Sequence, residues 1–598
     1  MAAWFTLLAL VLTWPIVTDL NGASLGSEDA DGMKHLWTLW WIRHEVLVEH
    51  QLPFHTDTVN FPVGMDLYPI EPLNGLLVVI LGFLPIVAAA NIIALLNLTA
   101  TGLAGALLGR ELSGTGWGGF VTGTALQGSA MALFTIHVGV GELQHIWWLP
   151  LGLAAWLRLR RRVLWTDALL LGGSLAGATL SCFYHGFFLA TAVSVVSLAT
   201  LWAGRKTPAL MARYALAAAL GLLVVVPLTQ VFATSYDSDH VAVEVPLLDY
   251  VFTDYGQPVT DPASARLDPT QLVVPSRSLR LEAPREIQGY GGGRYVGLLL
   301  LGLAIAGAAR RPREGLALLA TALVGVILAG GSYLVISGEE LALAGDARVR
   351  LPFFYLNRLL GRIGEPINFP VRFLAITATA LTASAALATQ GSWGRWLGVG
   401  ALLTVLDVQV NQLIPRPLPT LTPWDYEILE QLNDEPAPTV DLSLAWRADR
   451  EVRWAVLSAQ MVHGQKLQGV PLERIEYFAR DGHEFVTALP LVQALAPAYG
   501  HQEPDLEGVS PRADLALLHD AGFRRIQVLG VGPDRRISPV MQASMIELMG
   551  EPLIYSEYVL VWSIDEPEAT EEELEAWRAE HQQRIEDAAT TRMGHQLR

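Results

Sequence analysis

Residues 73–84 read LNGLLVVILGFL and end against Pro85. A transmembrane helix needs about 20 consecutive apolar residues. This run is too short to cross comfortably, and whether it crosses fixes the parity of every later segment. Longer apolar runs lie at roughly 3–20, 88–109, 117–136, 143–157, 164–181, 184–203, 212–232, 295–309, 315–334, 371–389 and 394–414. Charge arbitrates, because cytoplasmic loops are enriched in Lys and Arg. The basic clusters are Arg110, RLRRR at 158–162, Arg205 with Lys206, RRPR at 310–313, and Arg395. With the amino terminus in the cytoplasm and 73–84 not crossing, all five clusters fall on the cytoplasmic side. With 73–84 crossing, all five fall outside. The sequence therefore predicts a mainly α polytopic membrane protein with about 11 transmembrane helices plus one re-entrant or interfacial segment. The opening MAAWF lacks the positive n-region of a signal peptide, so the first run is read as a transmembrane helix. The same topology puts the loops 21–72, 233–294 and 335–370 on the outer face, together with everything after 414.

Composition agrees with that class. Of 598 residues, 52% are hydrophobic and 16% charged, against about 25% charged in soluble chains. A single cysteine, Cys182, excludes a disulfide framework, and a net charge of −18 argues against a nucleic-acid partner. The charge is uneven: residues 416–598 hold 16 basic and 31 acidic side chains. The proline-rich PRPLPTLTP at 415–423 marks the boundary. The predicted organisation is a transmembrane domain over 1–414, an extracytoplasmic α/β domain over 415–564 and a charged helical tail over 565–598. In the α/β domain, TVDLSLA (439–445), RIQVLGV (525–531) and EYVLVWSI (557–564) read as strands. Residues 454–463, 512–522 and 538–550 have helical spacing. The absence of an internal repeat weighs against the inverted-repeat transporters.

Chemistry is sought first in the stretch after the first helix, GASLGSEDADGMKHLWTLWWIRHEVLVEH at 22–50. Glu28, Asp29 and Asp31 follow the span, and Leu36, Trp37, Leu39, Trp40 and Trp41 begin an apolar face. Arg43, His44, Glu45 and Glu49 supply a polar one. The pattern predicts an amphipathic helix lying at the interface, where tryptophan prefers to sit. FPVGMDLYPIEP at 61–72 then returns the chain to the membrane with Glu71 just before the short apolar run. A carboxylate held at this boundary can serve as general base toward an incoming hydroxyl.

The runs DGMKHLWTLWW, PFHTDTVNFPVGMDL and EPLNGLL together resemble bacterial members of the GT-C glycosyltransferase superfamily. Asp31 lies six residues before Trp37, Phe61-Pro62-Val63-Gly64 matches the family's turn, and Glu71 its following acid. The likeness continues through Asn91, WWLPL (147–151), YHGFF (184–188), LPFFYLNRLLGRIGEPINFPVRF (351–373), Asp407 and QMVHGQKLQG (460–469). Asn368 and Glu142 depart from it, standing where an arginine and a histidine are common. The resemblance implies a polyprenyl-phosphate sugar as donor, Asp31 as catalytic base and Glu71 as its acidic partner. It also implies a location in the bacterial cytoplasmic membrane, multi-pass, with membrane lipid around it and a glycan, lipid or protein acceptor.

Arg372, at the outer mouth of a span, suits bidentate capture of the donor phosphate. Arg294, after the glycine run 291–293, is a second cation of that kind. Asp29, His137, His145, Tyr184 and His185 are expected to line the same cavity. No H-E-x-x-H or C-x-x-C spacing occurs, so zinc is not expected. A divalent cation shared by Asp29, Asp31 and the phosphate stays open on the sequence. The loop 233–294, rich in acids and prolines, reads as a lid. Two other readings also stand: a transporter or flippase for a lipid-linked substrate, and a silent scaffold for envelope polysaccharide assembly.

Overall fold

The structure, a computed structural model, describes residues 1–28, 30–67, 71–201, 208–235, 265–274, 293–342, 348–360, 367–391, 394–412, 414, 416–447, 449–469, 481–531, 534–566 and 569–580. The chain divides into two compact units, residues 1–39 with 70–422, and residues 40–69 with 423–598.

The first unit is helical. Its helices are α1 (Ala2–Leu12), the first half of α2 (Gly32–Leu47), α3 (Pro72–Ile80), α4 (Ile86–Ser113), α5 (Gly116–Gln127), α6 (Ala130–His137), α7 (Trp148–Arg162) and α8 (Trp165–Ser181). They continue as α9 (Phe183–Leu201), α10 (Pro208–Ser235), α11 (Leu298–Arg310), α12 (Pro312–Ala329), α13 (Pro352–Leu360), α14 (Leu374–Leu387) and α15 (Gly394–Asn411). Among the described residues, five segments are long and apolar enough to cross a membrane: Ile86–Ser113, Gly116–His137, Pro208–Leu228, Pro312–Ala329 and Pro370–Leu387. Helix α10 leaves Leu222 57% and Leu223 69% exposed. An apolar face of that size turned outward suits lipid and not water. The chain is a membrane protein.

Several apolar runs are broken more than their composition suggests. The first run is helical only to Leu12. Pro15 then disfavours helical geometry at Trp14. The 73–84 run forms α3, which at 1.5 Å per residue rises about 13 Å, under half of a hydrocarbon core of about 30 Å. The 117–136 run is interrupted between α5 and α6, where the Ser129 hydroxyl accepts from Ala132 N (3.2 Å) and starts a new helix.

At the centre of the unit lies α14, every residue of which is buried. Helices α4 and α5 pack backbone against backbone. A Cβ on Gly109 would meet the Gly118 carbonyl at 2.2 Å, and one on Gly123 the Gly102 carbonyl at 2.4 Å. Small residues thus let two backbones touch, the usual basis of helix association where burial from water gives no driving force. Strand β1 (Ser24–Leu25) pairs antiparallel with a strand at Thr420–Leu421, tying the segment after α1 to the segment after α15.

The second unit is built on a four-stranded sheet. We label its strands β2 (Thr439–Asp441), β3 (Arg525–Leu529), β4 (Ile554–Tyr555) and β5 (Val559–Ser563), in the order β2-β3-β5-β4. Strands β2 and β3 are parallel, the other pairs antiparallel. All five residues of β3 are buried, as a central strand covered on both faces requires. The TVDLSLA run stops being a strand at Asp441, whose carboxylate accepts from Leu444 N (2.9 Å) and caps a short helix, Leu442–Trp446.

Residues of the first loop join this unit. Leu467 N donates to Thr58 O (3.0 Å) and Phe61 N to Leu467 O (2.9 Å). The QMVHGQKLQG run makes that join: Gln460 Nε2 donates to Thr58 O (2.9 Å), and Gln468 Nε2 to Asp441 O (2.7 Å). The expected interfacial helix is therefore corrected. Trp37 and Trp41 are fully buried and Trp40 is 6% exposed. Trp41 packs because its indole N–H has a buried acceptor, Glu45 Oε1 at 2.8 Å.

Candidate active site

Asp31 sits just before α2, and its carbonyl accepts from His35 N (3.2 Å) in the first helical turn. Two devices fix this stretch. Asn91 on α4 accepts from Leu25 N (2.8 Å) and donates to the carbonyls of Leu20 (2.9 Å) and Ala23 (2.8 Å). Gly139 has φ +67°, and a Cβ there would lie 2.9 Å from Gly26 Cα and 3.0 Å from Gly32 Cα. Only glycine permits both the conformation and the approach, so the backbones around 26–32 and 138–141 touch.

The Asp31 carboxylate pairs with Lys34 Nζ at 3.1 Å. Burial pushes its pKa up, but the charges of Lys34, His35 and Arg372 outweigh burial and bring it down to about 2. Beside it runs a chain of buried polar groups. His35 Nδ1 lies 2.7 Å from Glu71 Oε1, and Asn74 Nδ2 donates to Glu71 Oε2 at 2.7 Å. Asn97 Nδ2 donates to Asn74 Oδ1 (3.1 Å), and Trp147 Nε1 to Asn97 Oδ1 (3.0 Å). Glu71 has no exposed surface. A Cβ on Gly141 would stand 1.9 Å from Glu71 Oε2, so any other residue there would displace the carboxylate.

Arg372 occupies the 3₁₀ turn Pro370–Phe373 that leads into the buried helix α14. Its guanidinium lies over the rings of Tyr184 (4.8 Å) and Phe369 (4.6 Å). Tyr184 is held in turn, its hydroxyl accepting from Phe369 N at 2.9 Å. The charge of Arg372 acts on Asp31, Cys182, Tyr184 and His185. That of Glu142 acts on Cys182 and Tyr184. His185 Nε2 lies 3.2 Å from Leu143 O, and His145 is buried with neither ring nitrogen hydrogen-bonded among the described residues. One acid–cation cluster thus gathers residues from α2, the segment before α3, the segment before α7, α9 and the start of α14.

No family model and no curated protein matches the chain. Solved structures do. The arabinofuranosyltransferase AftD from Mycobacteria superposes with a TM-score of 0.53 and 12% identity, over 94% of this chain and 40% of AftD. This chain has the GT-C fold. It spans about 40% of the length of AftD. Two other neighbours of the GT-C class are more distant. The oligosaccharyltransferase of Archaeoglobus fulgidus gives TM-score 0.43 at 11% identity, over 88% of this chain and 68% of that one. ArnT from Cupriavidus metallidurans, solved with undecaprenyl phosphate, gives 0.42 at 13% identity, over 94% and 98%.

Within this GT-C fold the expected site residues do not all converge. Asp31, Glu71, Arg372, Tyr184, His185 and His145 belong to the neighbourhood just described. Arg294 is 5% exposed and donates to Gln271 Oε1 at 2.8 Å. Burial holds its pKa down to about 10 against the pull of Asp268. It belongs to a separate group. His137 is buried at the end of α6. Asp29, Arg205, Lys206, most of the 233–294 loop and residues 581–598 lie outside the described residues. Among the described residues no three His, Cys, Asp or Glu side chains are placed to share a metal ion.

Sequence reasoning missed Lys34 and His35, although their spacing of three and four from Asp31 puts them on its helix face. Asn74 and Asn97 had no signal, since each is read only through a partner distant in sequence.

Proposed function

We propose that this chain is a membrane glycosyltransferase that moves a sugar from a polyprenyl-phosphate donor to an acceptor outside the cytoplasmic membrane. The observation that carries the reading is the Asp31–Lys34–Arg372 cluster in a GT-C fold: one carboxylate flanked by two cations at the end of a fully buried helix. Arg372 and Lys34 take the donor phosphate, which leaves as an anion, and Asp31 faces the acceptor hydroxyl. Held ionised by its cations, Asp31 is always ready to accept a hydrogen bond from that hydroxyl. Glu71 is too buried to meet substrate and acts through His35. Tyr184 and Phe369 keep Arg372 in place, because a guanidinium over aromatic faces loses little freedom on binding.

The topology that accompanies this reading has eleven spans, the amino terminus in the cytoplasm and residues 415–564 outside. Reporter fusions after residues 112, 162 and 206 should report cytoplasm, and one at 420 the outer compartment. The reaction is tested with purified protein in lipid nanodiscs and radiolabelled undecaprenyl-phosphate pentoses and hexoses. Release or transfer of sugar that depends on Asp31 supports the reading. Translocation of intact donor, with the sugar–phosphate bond unbroken, would replace it by the transporter.

A further inference from the structure

We propose that Glu71 and His35 form a carboxylate–imidazole dyad that takes up the proton released at Asp31, with His35 Nε2 as the base that holds it. The proposal rests on the transferase reading above. Glu71 is completely buried, and its two oxygens are spoken for, one by His35 Nδ1 and the other by Asn74. It therefore touches no substrate and is a positioning residue. A carboxylate on Nδ1 fixes the tautomer that carries its proton there and leaves Nε2 as acceptor. Nε2 makes no hydrogen bond to any described residue.

The dyad is built rather than incidental. Asn74 is braced by Asn97 and Asn97 by Trp147, and Gly141 leaves room for the carboxylate where any side chain would remove it. Asp31 and His35 are four apart at the start of α2, which stacks them one turn apart on a single face. The charged groups around His35 are Asp31 and Lys34 on its own helix and Glu71 from the segment before α3. Arg372, from the segment before α14, acts on Asp31. An acid held at about 2, against burial, chiefly by the ammonium of Lys34 is a poor resting place for a proton at neutral pH. In the reaction the acceptor O–H bond breaks and its oxygen bonds to the anomeric carbon. The bond from that carbon to the phosphate oxygen breaks, and polyprenyl phosphate leaves with the electron pair. The proton passes by way of Asp31 to His35 Nε2, and Glu71 stabilises the imidazolium.

Two arms test this on the full-length protein in nanodiscs. In the first, diethyl pyrocarbonate labels histidines and mass spectrometry follows the His35 peptide, with exposed His55 and His501 as controls. Glu71→Gln removes the charged partner on Nδ1 and should slow labelling of His35 at least threefold while leaving the controls unchanged. Equal rates would overturn the dyad. If Glu71→Gln does not fold, Glu71→Asp, which draws the carboxylate back from Nδ1 by one methylene, carries the same readout. In the second arm, His35→Ala should lower turnover of an undecaprenyl-phosphate sugar about 10²–10⁴-fold, the usual contribution of a general base, with donor KM within threefold. Added imidazole should restore at least a tenfold share. A folded His35→Ala protein that imidazole does not rescue would overturn the base. If wild type cleaves no such donor, the transferase reading falls with the base, and the labelling arm still decides whether the dyad exists.

Discussion

Glu71 and Glu45 are both carboxylates without exposed surface, one in each unit, and their partners differ in kind. Glu45 accepts from Trp41 Nε1 (2.8 Å), Thr56 Oγ1 (2.6 Å), Thr58 Oγ1 (2.9 Å) and Gln51 Nε2 (2.5 Å). All four donors are neutral and none ionises near neutral pH. Glu71 has one amide donor and one imidazole, and the imidazole keeps a second nitrogen for other use. A buried acid saturated by neutral donors ties a loop to a helix and fixes the fold. A buried acid joined to a titratable ring is suited to moving protons. Asp441, the third such acid among the described residues, is of the same kind as Glu45: it caps a helix and accepts from Gln527 Nε2 at 2.6 Å.

The comparison breaks or sharpens at four substitutions. The largest effect belongs to the chemical side. Asp31→Asn should lower turnover about 10²–10⁴-fold with little change in thermal unfolding. A stable variant of full activity would move the reaction away from this cluster.

Glu45→Ala is the structural counterpart. It strands an indole N–H and two hydroxyls in the interior, at a cost of about 3–5 kcal/mol. Differential scanning fluorimetry should show the loss, while turnover per folded molecule stays near wild type. A turnover defect without destabilisation would erase the distinction between the two acids.

Arg372→Lys keeps the charge and loses the planar fork over Tyr184 and Phe369. Binding of undecaprenyl phosphate should weaken roughly ten- to hundredfold. Unchanged affinity would reduce Arg372 to an interfacial anchor.

The smallest effect is set by pH. Burial raises the pKa of Asp441 from 3.8 to about 6, against the hydrogen bonds that favour its charged form. A raised acid stabilises the fold below its unfolded value and loses that contribution as pH climbs through its folded value. Between pH 4 and 6 wild type should therefore lose about 1–3 kcal/mol relative to Asp441→Asn. The asparagine can be paired, since Gln527 Oε1 has no partner among the described residues and a flipped amide would present it. His463, brought down to about 3 mainly by burial, titrates in both proteins and cancels in the difference. Parallel stability curves from pH 4 to 7 would contradict the assignment.

The membrane class was legible in the sequence because hydropathy sums over twenty residues and survives local breaks. Asp31 and Arg372 were legible as chemistry at the ends of apolar runs. The strand at 525–529 showed in its branched residues, and the helix at 539–549 between Ser538 and Gly550. The tryptophans of α2 misled, since an apolar face reads the same whether protein or lipid covers it. Only the tertiary structure decided that Glu71 meets His35, a pairing across 36 positions that no local pattern encodes. It alone decided that residues 40–69 pack with the carboxyl-terminal unit. Likewise, only the fold showed that Arg294 and Arg372, alike in sequence setting, serve different neighbours. Periodicity and composition are properties of neighbours along the chain, and they fixed the elements. Hydrogen-bond partners are properties of neighbours in space, so which acid holds the fold and which is placed for chemistry emerged only when distant segments closed on one another.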